Sequence, residues 1–416
     1  MGFKSFQTLL QLCFIFLLAL PCTSSNAALM PTKEWTFLIF MNGNNDLDLY
    51  GSLDLNEMEK VGSTENINVV VQWASYQRKD THRVLVTKDE DPQKVSSLLL
   101  ENLGQIDMGD SKNLVNFIEW GVKEFPAKRY FINVWNHGSG WHLMRNRFST
   151  RDISWDDFTG NSIKTEQLGE AMAKAAEIIG HKVDLYGSDA CLMGMAEVAD
   201  EMADSVDIYI GSEETEPLEG WPYDKLLENW VKLVESTPQQ VAQILVSEYV
   251  KSYNGGSQGN QQVTQAAYDL SKREALYDAV IKLGKQIRSL PEKEKEKVIA
   301  IIYKSLNFYS YDFKDLFDFA LNLKNAQLFS ALESEEVFSA IEQALKEFVI
   351  ANETTSSYSK ARGVAIWLPD YEYYYSRHIQ RYKGLRFHAH TSWGDTLEFL
   401  FKKEPLPPPK NHTPEI

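Results

Sequence analysis

Residues Val183 to Met195 read V-D-L-Y-G-S-D-A-C-L-M-G-M. Val183-Asp184-Leu185-Tyr186 has the apolar, β-branched and aromatic make-up of a buried strand, and Gly187-Ser188-Asp189 brings turn chemistry where that strand should end. Cys191 follows almost at once. From Leu192 to Met202 the apolar residues Met195, Val198, Ala199 and Met202 fall at i, i+3, i+4 and i+7, which predicts a helix. Cys191 is thus expected between a strand end and a helix start. Open α/β sheets carry reactive groups there, because the carboxyl ends of the strands form a crevice and a helix N-terminus favours a thiolate.

A second stretch mirrors the first. Arg129 to Trp135 (R-Y-F-I-N-V-W) is another buried-strand pattern, ending in Asn136-His137-Gly138-Ser139-Gly140-Trp141, where two glycines let the backbone approach a ligand. His137 therefore also sits at the carboxyl end of a strand. The histidine precedes the cysteine by 54 residues. That order and spacing occur in caspases, although their Q-A-C-x-G sequence is D-A-C-L-M-G here.

Together, N-H-G-S-G-W and S-D-A-C-L-M-G-M-A-E-V resemble the clostripain family of cysteine peptidases, relatives of gingipains, legumains and caspases. The similarity runs from Trp35 to Phe401. It takes in Trp35 to Asp48 (W-T-F-L-I-F-M-N-G-N-N-D-L-D), Gly211 to Tyr223 (G-S-E-E-T-E-P-L-E-G-W-P-Y), Ala267 to Ser271 and Gly363 to Pro369. The resemblance implies a caspase-like α/β/α sandwich, a Cys191–His137 dyad without a third member, and an oxyanion site formed by the N–H groups of Gly138 and Cys191. It also implies that Asp189 lines the pocket for the residue before the cut bond, that the chain is processed between His137 and Cys191, and that calcium dependence is known among relatives.

The N-terminus reads as a secretory signal peptide, residues 1–27. Lys4 precedes the apolar run Leu9 to Leu20, and Ser25-Asn26-Ala27 offers a cleavage site. A run of twelve residues is too short for a transmembrane helix, which needs about 20. The mature protein is expected outside the cytoplasm, secreted or periplasmic. Lipid attachment at Cys22 fits poorly, because Pro21 stands directly before it. Removing the signal takes Cys13 and Cys22 with it and leaves Cys191 as the sole cysteine. A lone thiol in an oxidising compartment is either buried and inert or put to use, and its place at a strand end downstream of H-G favours catalysis.

Composition fits an ordinary globular enzyme, with 44% apolar and 12% aromatic residues. The formal charge of −16 becomes −17 once Lys4 is lost, which argues against nucleic acid and anionic membranes as partners. Peptide or protein substrates with basic residues suit such a surface.

Strand-like runs at Thr36–Met41, Asn68–Trp73, Arg83–Thr87, Tyr130–Trp135, Val183–Tyr186 and Val206–Ile210 alternate with helical patterns such as Ser52–Val61, Leu114–Glu124 and Glu166–Ile179. This order predicts a mostly parallel sheet between helical layers, with Asn68–Trp73 and Arg83–Thr87 close enough for a hairpin. Residues 31–225 are expected to form the catalytic core. Residues 226–402 read as a mainly helical C-terminal region with helices at Leu226–Leu233, Pro238–Tyr253, Arg273–Leu290, Glu292–Leu306, Lys314–Lys324 and Glu335–Ile350, the last capped by Ser334. Strands return near 263–270 and 363–368. Residues 403–416, with Pro405, Pro407, Pro408 and Pro409, read as a disordered tail.

Other groups carry less. Asn42 to Asp48 gathers oxygen ligands but lacks the glycine and terminal glutamate of an EF-hand, so it reads as a turn with Asp46 capping the next helix. No cofactor and no metal site is expected. His142 has no zinc partner at a recognised spacing, and His388 and His390 would project to one side of a strand as surface or structural groups.

The chemistry follows from the pair. A thiolate attacks the scissile carbonyl, and an imidazole takes the thiol proton and returns it to the leaving amine. Asp189, two residues before the nucleophile at a tight turn, would select Arg or Lys by a charge-assisted hydrogen bond, its alternative role being to cap the following helix. The polar stretch His142 to Thr165 reads as a long exposed loop, and Arg147, Arg151 and Arg145 within it are candidate self-cleavage sites. Two other functions share these residues: a transpeptidase or amidase passing the same acyl-enzyme to an amine, and an inactive extracytoplasmic binding relative.

Overall fold

The computed structural model describes residues 32–142 and 152–402, which belong to one compact unit. The expected signal peptide 1–27 with Cys22, the arginines Arg145, Arg147 and Arg151, and residues 403–416 lie outside the described residues.

Nine strands form the main sheet: β1 (Lys33–Gly43), β2 (Ile67–Ser75), β3 (Asp80–Leu85), β4 (Leu98–Asn102), β5 (Ala127–Trp135), β6 (Val183–Asp189), β7 (Val206–Gly211), β8 (Thr264–Asp269) and β9 (Val349–Thr354). Their spatial order is β9-β8-β7-β6-β5-β1-β2-β3-β4. The five central strands, β7 to β2 in that order, are parallel, and the two at each end are antiparallel. The β2–β3 hairpin is the one the short spacing predicts. A parallel sheet needs both faces covered, so its strands are apolar nearly throughout.

β1 shows how alternation sorts its side chains. Trp35, Phe37, Ile39 and Met41 pack into one layer with α1 (Asp48–Glu59), Tyr223–Trp230 and Pro238–Tyr253. Leu38 and Phe40 pack into the other with Ser111–Glu124, Thr165–Ile179 and helices of the C-terminal region. The architecture is the three-layer sandwich expected from the alternating pattern. All of these core side chains are buried, each contributing about 1.5–3 kcal/mol.

Several elements differ from the sequence reading. The helix predicted from Leu192 spans only Ala196–Glu201. Leu192 has a positive φ of 64°, and the chain at Gly194 runs so close to Ser212 and Glu213 that a Cβ would lie 2.7 Å from the Glu213 nitrogen. Backbone crossing, not helix, occupies those residues, so no helix N-terminus acts on Cys191.

The last long helix starts at Ala331, capped by Ser330 in a capping box with Glu333, and Ser334 lies inside it. It ends at Phe348, where Val349–Thr354 leaves to join the sheet edge as β9. The strand near 363–368, Ala365–Trp367, pairs with Phe313–Asp315 in a separate two-stranded ribbon. His388 and His390 sit on a short helix, Arg386–Thr391, not on a strand.

The stretch after His142 is not the wholly exposed loop its composition predicts. Asp152, Ile153, Ser154, Asp156 and Ile163 are buried, and Ile153 bridges both Gly138 and Ile163. The C-terminal region grips this segment at both described ends. His142 pairs with Asp312 at 3.0 Å, both fully buried, and stacks on His378 at 4.1 Å. Arg381 bonds Asp152 and Glu166 and lies over the Trp141 ring. Burial pushes the His378 imidazole down to about 3, with His142 adding to the effect, so it is neutral at physiological pH.

Candidate active site

Parallel register brings the two predicted residues together. Trp135 at the end of β5 pairs with Asp189 at the end of β6, so His137 and Cys191 each lie two residues beyond a matched pair of neighbours. Both line one narrow slot at the carboxyl edge of the sheet, with Leu47, Asn136, Asp189, Glu216, Pro217 and Gly220. That edge is where a doubly covered parallel sheet opens a crevice.

The loops carrying the pair are tightly tied. Asn136 donates to the carbonyl of Asn42 at 2.5 Å and accepts from the Trp155 nitrogen at 2.7 Å. At Gly138 a Cβ would meet the Cys191 carbonyl oxygen at 2.5 Å, so only glycine lets these two loops touch. Behind Cys191, rings stack across three strands, Tyr186 on Tyr209 and Tyr209 on Tyr268, and the Tyr209 hydroxyl donates to the Met193 carbonyl at 2.6 Å.

The thiol is partly exposed and uncharged at rest. Burial pushes its pKa up to about 11, and the nearby Glu214 carboxylate adds to the rise. Backbone N–H groups of Glu216, Cys191 and Gly138 point at the sulfur and work the other way, the first at 3.3 Å. Two of these, Cys191 and Gly138, are the donors expected for an oxyanion, and they already converge on one spot.

His137 is half-exposed, and its Nε2 lies 2.7 Å from Asp46 Oδ1. Asp46 therefore does not cap α1, whose N-cap residue is Leu47 with no side-chain cap bond. An ionised carboxylate only accepts, which places the proton on Nε2 and leaves Nδ1 as the acceptor. The rest of the Asn42–Asp48 loop is spent internally. Asn42 and Asn45 donate to the Trp155 carbonyl, Asn44 donates to Asp156, and Asp48 accepts from the Gln77 nitrogen. The side-chain oxygens of Asn42 and Asn45 accept from the Asn44 and Leu47 nitrogens, each at 3.0 Å.

Asp189 is 5% exposed and does not cap a helix. Its carboxylate accepts from the Tyr223 hydroxyl at 2.7 Å and the Trp221 nitrogen at 3.4 Å, and Asn133, in the middle of β5, donates to that same hydroxyl at 2.9 Å. It also contacts the carboxyl of Glu216, which is buried although the residue itself reaches the surface. Two carboxyls in contact need a proton between them. Burial, and for Glu216 the Asp189 charge, raises both: Asp189 to about 6 and Glu216 well above its ordinary range. The pair thus carries close to one negative charge at neutral pH. Asp54, bonded by Trp135 Nε1 at 2.6 Å, adds a further buried acid behind Asp189.

Sequence pattern alone does not bring Glu216, Asp46 or Tyr223 to the site. The run Glu213-Glu214-Thr215-Glu216 was visible, but which of its carboxylates turns inward depends on the path of the chain after β7.

A profile of the clostripain family matches residues 39–399. Clostripain from Hathewaya histolytica is 22% identical over 412 residues, covering 83% of this chain and 76% of that protein. A secreted C11 cysteine protease from Bacteroides thetaiotaomicron, solved with an irreversible peptide inhibitor, superposes with a TM-score of 0.66 at 21% identity over 87% of this chain and 99% of that one. An inactive zymogen C11 protease from Parabacteroides distasonis gives 0.66 at 19% identity with the same coverage. At such identities the solved structures speak to the fold, which they share. Because the family profile spans most of the sequence, the chain belongs to the clostripain family and is a cysteine peptidase.

Proposed function

We propose that this protein is an extracytoplasmic endopeptidase, secreted or periplasmic after loss of residues 1–27, that cuts after Arg or Lys with Cys191 as nucleophile and His137 as general acid and base. The observation that carries the specificity is the Asp189–Glu216 carboxyl pair inside the slot that opens beside Cys191 and His137. A guanidinium or ammonium entering the slot supplies the positive charge that the shared proton only partly replaces.

The proposed steps use protein groups alone, with no cofactor. The substrate carbonyl displaces the sulfur's contacts with the Gly138 and Cys191 N–H groups and takes them for its own oxygen. His137 Nδ1 removes the thiol proton as the sulfur attacks, because a thiol held near 11 is not ionised beforehand. Nε2 stays tied to Asp46 while the ring is charged, and the proton then passes to the leaving amine. Water repeats the sequence on the acyl-enzyme.

The same specificity makes Arg145, Arg147 and Arg151 substrates in cis, with Arg147 and Arg151 preferred. A cut there leaves His137 and Cys191 on separate fragments joined through β5 and β6. The bonds of His142 to Asp312 and of Asp152 to Arg381 would hold both new ends in place. Profiling a peptide library with the purified mature protein tests the proposal. Cleavage confined to bonds after Arg and Lys is expected, and cleavage after acidic or apolar residues refutes it.

A further inference from the structure

Beside the slot lies a second hollow of about 320 Å³. It is walled by Glu214, Thr215, Gln262, Phe308, Tyr309 and Tyr358. Both cavities are built on the chain that follows β7, with Thr215 facing the hollow and Glu216 facing the slot.

The chemistry of the hollow is set by what its one acid is doing. Glu214 is buried, and its carboxylate is saturated: one oxygen accepts from the Tyr358 hydroxyl at 2.5 Å, the other from the Thr215 nitrogen at 2.7 Å and the Tyr309 nitrogen at 3.2 Å. It holds the wall together and has little left for a ligand cation. What faces a ligand is mostly aromatic. Phe308 and Tyr358 lie 5.9 Å apart, and Tyr309 is 58% exposed.

The direction of a bound peptide follows from the sheet. β6, which leads to Cys191, lies between β5, which leads to His137, and β7, which leads to Glu216. The leaving amine must reach His137, on the β5 side. The acyl half of the substrate therefore runs to the β7 side, over Thr215 and Glu214. Consecutive side chains of an extended peptide point to opposite sides. With the residue before the cut in the slot, its upstream neighbour is presented to the hollow.

Resting on the assignment of Cys191, His137 and the slot proposed above, we infer that this hollow is a second specificity subsite, selecting an aromatic or branched apolar side chain immediately upstream of the residue held in the slot. Aromatic pairing with Tyr309 and Tyr358 supplies the selection.

The test is a series of blocked fluorogenic peptides that differ only in that upstream residue: Gly, Leu or Phe. The series is built on whichever residue the wild-type enzyme accepts before the cut, so an error in the Arg/Lys assignment changes the series and not its internal ratio. Wild type should prefer Phe or Leu over Gly by about tenfold in kcat/KM, the low end of what an apolar pocket achieves. Tyr309→Ala should bring that ratio below about twofold, and Tyr309→Phe should keep it at the wild-type value. Affinity of the same peptides for Cys191→Ala protein reads the ratio without turnover. Equal handling of Gly, Leu and Phe by wild type, or a ratio that survives Tyr309→Ala, overturns the subsite.

Discussion

Asp189→Asn separates charge from shape in the slot. The amide can still accept from the Tyr223 hydroxyl, so the pocket keeps its form; burial, the larger cause of the rise at Glu216, still holds that carboxyl protonated, and the Asp189 charge that meets a basic side chain is lost. A hydrogen bond to a charged group is worth about 1.5–3 kcal/mol, which puts the loss in kcat/KM for an Arg substrate at about ten- to a hundredfold at pH 8. The loss should depend on pH. Asp189 titrates near 6 in the empty slot, coupled to Glu216, and kcat/KM reports the free enzyme. Below that value wild type also presents a protonated pocket, so at pH 5 its advantage should shrink about tenfold. The assay is kcat/KM for one Arg peptide with both proteins from pH 5 to 9, taken as a ratio so that titration common to both cancels. A ratio near one at pH 8, or a large ratio that does not change with pH, would refute Asp189 as the charged base of the pocket.

Cys191→Ala should abolish turnover and also stay a single band on a denaturing gel while wild type resolves into two fragments; cutting of the mutant at the same arginines without added protease would remove self-processing. Asp46→Ala should lower kcat by roughly two- to fivefold with KM unchanged, the scale of one exposed pair, and a raised KM with kcat unchanged would show that Asp46 does not position His137. His142→Ala should act on stability more than on catalysis, because it strands buried Asp312 and forfeits about 3–5 kcal/mol, read as a lowered Tm with folded protein still active. Glu213 and Asp315 form another buried carboxyl pair, Asp315 raised by burial to about 6 and Glu213 well above its ordinary range. Raised carboxyls stabilise the fold below their unfolded pKa and lose that contribution as pH climbs through the folded value. Wild type should therefore lose more Tm between pH 7 and 9.5 than Glu213→Gln, whose amide can donate to Asp315 at any pH, and equal losses would show that the pair shares no proton.

Much of the fold was legible where local pattern and burial agree. The apolar runs that became β1, β2, β5, β6 and β7 are continuous because both faces of a parallel sheet are covered, and that continuity needs no partner to be recognised. Edge elements were harder. Leu98–Asn102 carries three leucines, two of them about half exposed, and without alternation it gave no strand signal. Val349–Thr354 follows a helix without a break, and only the open edge beside β8 makes it a strand. The cap at Ser330 could have been read, since Glu333 stands three residues on, whereas three residues after Ser334 comes buried Val337.

By itself the sequence determined which residue types can do the chemistry, the sole cysteine beyond residue 27 and a histidine, together with the strand end at which each must sit. An apolar strand pattern and the turn residues that end it are local enough to be written in thirteen residues. Tertiary structure alone decided the electrostatics of the site. Whether Asp189 carries a charge depends on Glu216 reaching it from the chain after β7, whether the thiol is ionised depends on its burial and on the absence of a helix at Leu192, and the tautomer of His137 depends on Asp46 from the loop after β1. A protonation equilibrium responds to every charge and dipole within several ångströms, and those are brought together by the sheet from positions far apart in the chain.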